Sequence, residues 1–198
     1  MHRPFLIFPT GLLLLVSLAA CATPYGLYAD KRPLEVVKDD SMLRSRVGDA
    51  LRAQGYTGVN ELTVHAYFGK VFVTGEVPEN QRDQAVQTAK RVRGVKSVTP
   101  HWFTSLQRDT ESDAAIKLRL EKNLVGASGV TSSRVDYVVN SGRVVLLGVV
   151  GSDEERKLAI KAARATSGVR AVTSYLFIHN PGPAPVQQPQ AEQKGTSV

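Results

Sequence analysis

The chain of 198 residues has a single cysteine, Cys21, one tryptophan and two methionines, and its longest apolar stretch, Gly11 to Ala20, is only ten residues. One thiol excludes an intramolecular disulfide framework, so stability has to come from an ordinary core, for which 42% hydrophobic residues suffice. A stretch of ten falls well short of the about 20 apolar residues that a membrane-spanning helix needs. Sequence signatures of catalysis are missing too: there is no H-E-x-x-H, G-x-S-x-G, Walker loop or EF-hand. Beyond His2, the histidines are His65, His101 and His179, far apart in sequence and read as surface residues of a small sheet. No catalytic residue, no metal site and no cofactor is expected.

What is present begins at the N-terminus. His2 and Arg3 precede the apolar stretch, and Ala19 and Ala20 close it with small side chains, which is the layout of an export signal over residues 1–20. Leu18-Ala19-Ala20-Cys21 resembles the lipobox of bacterial lipoproteins. That resemblance implies that the Cys21 sulfur carries diacylglycerol and that Cys21 becomes the acylated first residue. Several acyl chains at about 0.8 kcal/mol per buried methylene exceed what stable anchoring needs. The alternative is an ordinary exported protein with an incidental cysteine.

The strongest signal is a repeat. "GKVFVTGEV" (69–77) matches "GRVVLLGVV" (142–150), and upstream Asp40, Leu43, Val47 and Leu51 fall on Asp113, Ile116, Leu120 and Leu124. Downstream, after one inserted residue, Arg82, Ala85, Ala89, Gly94, Val95 and Val98 fall on Arg156, Ala159, Ala163, Gly168, Val169 and Val172. Each copy opens with apolar residues four apart, one helix face. Alternating strands follow on both sides of a turn, Asn140-Ser141-Gly142 being the plainer of the two. A second helix starts at Pro78 in its first turn in copy one and at the capping box Ser152 to Glu155 in copy two. Gly94 and Gly168 mark its stop, and a last strand is expected from Val95 and from Val169. The fold class is α+β: two tandem αββαβ modules, each a small three-stranded sheet with two helices packed on one face.

The G-x-V-x-[LV]-x-G strand, the helix after it and the closing "GV..V" strand resemble the BON domain, named for bacterial osmotic-stress and nodulation proteins, in both copies. With the lipobox, the whole resembles the dual-BON outer-membrane lipoproteins. The resemblance implies a non-catalytic protein on the periplasmic face of the outer membrane that binds anionic phospholipid through its distal module and supports envelope integrity. The expected organisation is a signal peptide (1–20), a lipidated N-terminus and tether (21–38), module one (39–108), module two (109–180) and a Pro/Gln-rich tail (181–198).

Charge locates the candidate surface. There are 25 Lys and Arg against 18 Asp and Glu, and Arg3 leaves with the signal. A modest basic excess suits an anionic lipid surface or nucleic acid, and export selects the lipid. On the second helix of copy two, Lys157, Lys161 and Arg164 form a stripe where copy one has Asp83, Gln87 and Lys90. On its first helix, Leu118 lies off the core series with Lys117, Arg119 and Lys122 beside it, and Val125 replaces Arg52, an interfacial pattern. These seven residues, Lys117 to Lys122 and Lys157 to Arg164 as named, are the expected lipid contacts. A structural adaptor for protein or cell-wall partners is the alternative, with the anchor alone at the membrane, and the oligomeric state stays open.

Strand parity identifies one more surface. In copy two, Val145, Leu147 and Val149, with Val138 on the neighbouring strand, form the sheet face away from the helices. A strand apolar on both faces is normally buried on both, so this face is expected to be an interface with module one, near Trp102 and Phe103, or with a second copy. The matching set in copy one, Phe72, Thr74 and Glu76, reads as mixed and wettable.

Overall fold

The computed structural model describes residues 30, 32–56, 62–104 and 113–180. Cys21, the expected signal segment and the expected tail lie outside them. Module one runs α1 (Leu34–Ala53), β1 (Thr63–Tyr67), β2 (Lys70–Gly75), α2 (Glu79–Lys90) and β3 (Ser97–Trp102). Module two runs α3 (Asp113–Gly126), a 3-10 turn (Ser132–Arg134), β4 (Val135–Asn140), β5 (Arg143–Val150), α4 (Asp153–Arg164) and β6 (Ala171–Ile178). In both sheets the middle strand pairs antiparallel with the strand before it and parallel with the strand after the helix.

The helices lie where the four-residue spacing predicts. Leu43, Val47 and Leu51 of α1 are buried with Val71, Val73, Ala85 and Ala89, and Ile116, Leu120 and Leu124 of α3 with Val144, Leu146, Ala159 and Ala163. Each fully buried leucine contributes about 1.5–3 kcal/mol. α4 is bounded by its own sequence: Ser152 Oγ accepts from the Glu155 N–H at 3.1 Å, three acids fill the first turn, and Lys161 and Arg164 fill the last. That charge order complements the helix dipole.

Several boundaries differ from the sequence reading. α1 begins at Leu34, inside the stretch read as tether, because Pro33 supplies its N-cap and Val37 N–H reaches the Pro33 carbonyl at 3.1 Å. Pro78 is the N-cap of α2 rather than a residue of its first turn. Both last strands start two residues later than read. The amides of Val95 and Val169 close turns onto Val92 and Thr166 instead, at 3.2 and 3.1 Å.

The two hairpin turns are built alike. Phe68-Gly69 (φ 55 and 78) and Ser141-Gly142 (φ 48 and 73) take positive φ at both central residues, the type I′ geometry that matches strand twist. The second motif glycine has another role. A Cβ on Gly148 (φ 132) would stand 2.0 Å from the Arg134 carbonyl oxygen, so the end of the 3-10 turn lies against β5 at a distance only glycine admits.

Glu155 ties α4 to the loop before β4. Its carboxylate accepts the Thr131 N–H at 2.8 Å and the Gly151 N–H at 2.7 Å, with Arg134 Nη1 at 3.6 Å. Burial opposes the charge, but those N–H donors and Arg134 outweigh it and hold the carboxyl below its ordinary value. A folded-state pKa below the unfolded one contributes stability above the unfolded value that is lost as pH falls through the folded value. Stability should therefore drop as pH falls below about 4.5, and Glu155→Gln should flatten that limb in a urea titration repeated at several pH values.

The two sheets face each other, so the layers stack helices, sheet, sheet, helices. Phe72 (3% exposed) and Thr74 (0%) of β2 lie in the seam rather than in water. Parity had placed them on the open face correctly; what covers them is the other sheet. Of the histidines, His65 is buried while His101 and His179 are half-buried, and the Nε2 atoms of His65 and His179 are enclosed.

Candidate functional site

The helix layer of module two carries the expected lipid contacts. Lys117, Leu118 and Lys122 on α3 and Lys157, Lys161 and Arg164 on α4 are exposed. Leu118 is 70% exposed and Val125, seven residues on along the same face, 65%. α3 is tied to the turn after α4 by Asn123 Nδ2 donating to Thr166 Oγ1 at 2.9 Å and Arg119 Nε donating to the Ser167 carbonyl at 3.1 Å. Arg119 is therefore half-buried and tied to the turn after α4. Lys157 Nζ lies 2.8 Å from Asp153 Oδ2, a hydrogen bond that raises the lysine pKa and lowers that of the aspartate. Lys161 and Arg164 border a shallow depression floored by Ile160 and Ala165.

The second set lies in the seam. Val145, Leu147 and Val149 are at most 4% exposed and pack with Tyr67, Phe72 and Phe103; Val138, Phe68, Tyr175 and Phe177 pack around them. Trp102 belongs instead to the core of module one. The centre is aromatic: Phe72 meets Tyr175 at 5.4 Å and Phe177 at 5.6 Å between ring centroids. Polar contacts rim it. Tyr67 donates its hydroxyl to Asp136, His65 Nδ1 lies 3.7 Å from the same carboxylate, His101 Nδ1 is 3.1 Å from the Tyr175 hydroxyl, and Arg143 Nη2 donates to the Thr104 carbonyl at 2.6 Å. Burial and the Asp136 charge push the Tyr67 phenol pKa well up. Burial resists the Asp136 charge, yet the nearby His65 imidazole and the hydrogen bond from Tyr67 keep its pKa low, while burial and Arg143 lower that of His101.

Sequence reasoning missed one duplicated device. Asp40 accepts the N–H groups of Phe68 and Gly69 at 2.7 and 2.8 Å, and Asp113 accepts those of Ser141 and Gly142 at 2.9 and 3.1 Å. An aspartate from the first helix of each module thus holds the hairpin turn of its own sheet. The alignment of Asp40 with Asp113 was the available signal. Among the described residues there is no group of three or more His, Cys, Asp or Glu that could hold a metal ion, and no helix long and apolar enough to cross a membrane.

The family model for the BON domain matches twice, at residues 39–101 and 112–178. The chain belongs to the BON-domain family. BON domains occur in envelope-associated proteins and are in general non-catalytic. No curated protein sequence matches the chain. Among solved structures it is similar to CdsD, a structural protein of the type III secretion system of Chlamydia trachomatis, at 12% identity and a TM-score of 0.31, over 70% of this chain and 93% of that one. The C-terminal domain of CdsD gives 12% identity and a TM-score of 0.30, over 69% and 97%. At that level the likeness carries nothing further to this chain.

Proposed function

We propose that this BON-domain chain is a non-catalytic lipoprotein of the outer membrane, held at its periplasmic face through acylated Cys21, whose modules bind anionic phospholipid and support envelope integrity. The observation that carries the reading is the outer layer of module two, where the exposed Leu118 and Val125 stand among Lys117, Lys122, Lys161 and Arg164. A leucine moved from water into acyl chains gains about 1.5–3 kcal/mol, and each near-surface cation adds about 1 kcal/mol on an anionic leaflet. The engagement of Arg119 and Lys157 within the module favours the second reading, a structural adaptor for envelope protein or cell-wall partners, because it leaves fewer cations for lipid.

One experiment separates them. Cys21→Ser should abolish acyl labelling and membrane fractionation. The same delipidated protein should still bind vesicles containing phosphatidylglycerol. Reversing Lys117, Lys122 and Lys161 to glutamate should weaken that binding about tenfold or more, as should raised salt. Delipidated protein that ignores anionic vesicles would leave the adaptor reading standing, and acylation persisting in Cys21→Ser would refute the anchor.

A further inference from the structure

One end of module one receives the N-terminal segment. The Arg32 side chain, 9% exposed, puts Nη2 2.6 Å from Asp30 Oδ2 and Nη1 2.6 Å from Asp40 Oδ2. Its guanidinium lies 5.3 Å from the Tyr67 ring centroid and 5.8 Å from that of Phe68. Residue 32 is thereby pinned to the β1–β2 turn. The topology brings cations to the same end: α2 runs back toward it, the connection to β3 crosses it, and β2 starts there. Lys90 ends α2, Arg91, Arg93 and Lys96 occupy the connection, and Lys70 opens β2. The Lys96 side chain lies across the turn, so that a Cβ on Gly69 would meet its Cδ at 3.0 Å.

All five are exposed and none has an ion pair among the described residues; Lys70 Nζ lies 4.9 Å from the Phe177 ring centroid. The exposed acids beside the Arg32 anchor are Glu35 and Asp39, in the first turns of α1. Module two repeats the cluster only in part. Lys90 and Lys96 correspond to Arg164 and Arg170, but Arg91 and Arg93 correspond to Ala165 and Ser167, and Arg143, the counterpart of Lys70, is spent on Thr104 and Asn140. Five like charges held together repel one another, and a surface dense in phosphate would relieve that repulsion. Asp30 lies nine residue steps on from Cys21. Even fully extended at about 3.3–3.6 Å per residue they reach about 30 Å, so an acylated Cys21 keeps this end near the bilayer.

We propose that this end of module one is a headgroup-docking surface, on which Lys70, Lys90, Arg91, Arg93 and Lys96 engage the phosphates of an anionic bilayer beside the point where the tether leaves. The proposal rests on the lipoprotein reading for the bilayer's presence, but its surface is distinct from the α3 and α4 layer. The hairpin turns of the two modules lie at opposite ends of the stack: Phe68 meets His179 edge-on beyond β6, and Asn140 donates to Glu76 beyond β2.

The test uses the chain carrying Cys21→Ser and vesicles of phosphatidylcholine with or without phosphatidylglycerol. Arg91→Glu, Arg93→Glu and Lys96→Glu together should lower affinity for the anionic vesicles about tenfold or more, each near-surface cation being worth about 1 kcal/mol. Because no other cysteine remains, a fluorophore on Ser97→Cys reports this end and one on Glu79→Cys the far end of α2. Headgroup quencher should dim the first and spare the second. Binding unchanged in the triple variant, or a silent Ser97 probe, overturns the proposal. If reversal on α3 and α4 abolishes binding while the module-one triple does not, the functional reading survives and this one fails. If the Cys21→Ser protein ignores anionic vesicles altogether, both fail.

Discussion

Leu147→Asp should open the seam between the modules. Leu147 is 0% exposed, and its register partners are Asp136 on β4 and Tyr175 on β6. A carboxylate there would be desolvated among Phe72, Phe103 and Val149 and would face Asp136 directly across the strand pair, where like charges repel. The expected cost is about 4 kcal/mol or more, at the top of what single substitutions reach. The damage should be specific, because the core beneath α3 and α4 is built from Val144, Leu146 and Val150 on the other face of the same strand. Module two should stay folded while the sheets part. NMR relaxation should then show two bodies tumbling separately, where the parent tumbles as one, and urea unfolding should split into two steps. Leu147→Met, which conserves volume, should cost less than about 1.5 kcal/mol and keep a single transition. Unchanged stability and tumbling in Leu147→Asp would mean that the seam contributes little to holding the modules together.

The pattern of what could be read follows from where each signal is stored. Helix faces and strand alternation are local, so Leu43, Val47 and Leu51, and their counterparts Ile116, Leu120 and Leu124, were legible as core from spacing alone. Duplication made the hairpins legible too, since each copy corroborates the other. Parity separated Val145, Leu147 and Val149 from Val144 and Leu146, but it could not tell that Phe72 and Thr74 are buried, because burial there depends on a partner sheet far along the chain. The aromatic side of the seam was visible only as alternation in Tyr175 and Phe177, which resembles any half-buried strand. Within the candidate surface, spacing put Leu118, Lys161 and Arg164 on outward faces, yet it could not foresee that Arg119 would reach the Ser167 carbonyl, in the turn after another helix. The cations at the hairpin end of module one come from β2, α2 and the connection to β3, so only the topology assembles them.

The aspartate clamps give the sharpest comparison between the modules, because one device occurs twice with different surroundings. Asp40 is 5% exposed and holds two turn amides and the Arg32 guanidinium, whereas Asp113 is half-buried and holds two turn amides. Asp40→Ala leaves the Phe68 and Gly69 N–H groups without their acceptor in a turn where Phe68 already holds a positive φ, a conformation that costs a non-glycine residue about 1–2 kcal/mol. It also strips one carboxylate from a buried guanidinium, and breaking a buried pair from one side costs about 3–5 kcal/mol. Asp113→Ala leaves two amides that water can approach, for which about 1–3 kcal/mol is expected. Module one should therefore suffer the larger loss, seen as a greater fall in urea midpoint and as faster hydrogen exchange at Phe68 and Gly69 than Asp113→Ala produces at Ser141 and Gly142. Asp40→Asn should fall between, since its amide keeps one acceptor oxygen but loses the charge that faces Arg32. If the two alanine variants lose equal stability, Arg32 adds nothing to the clamp, and the N-terminal segment is not held to the module by this contact.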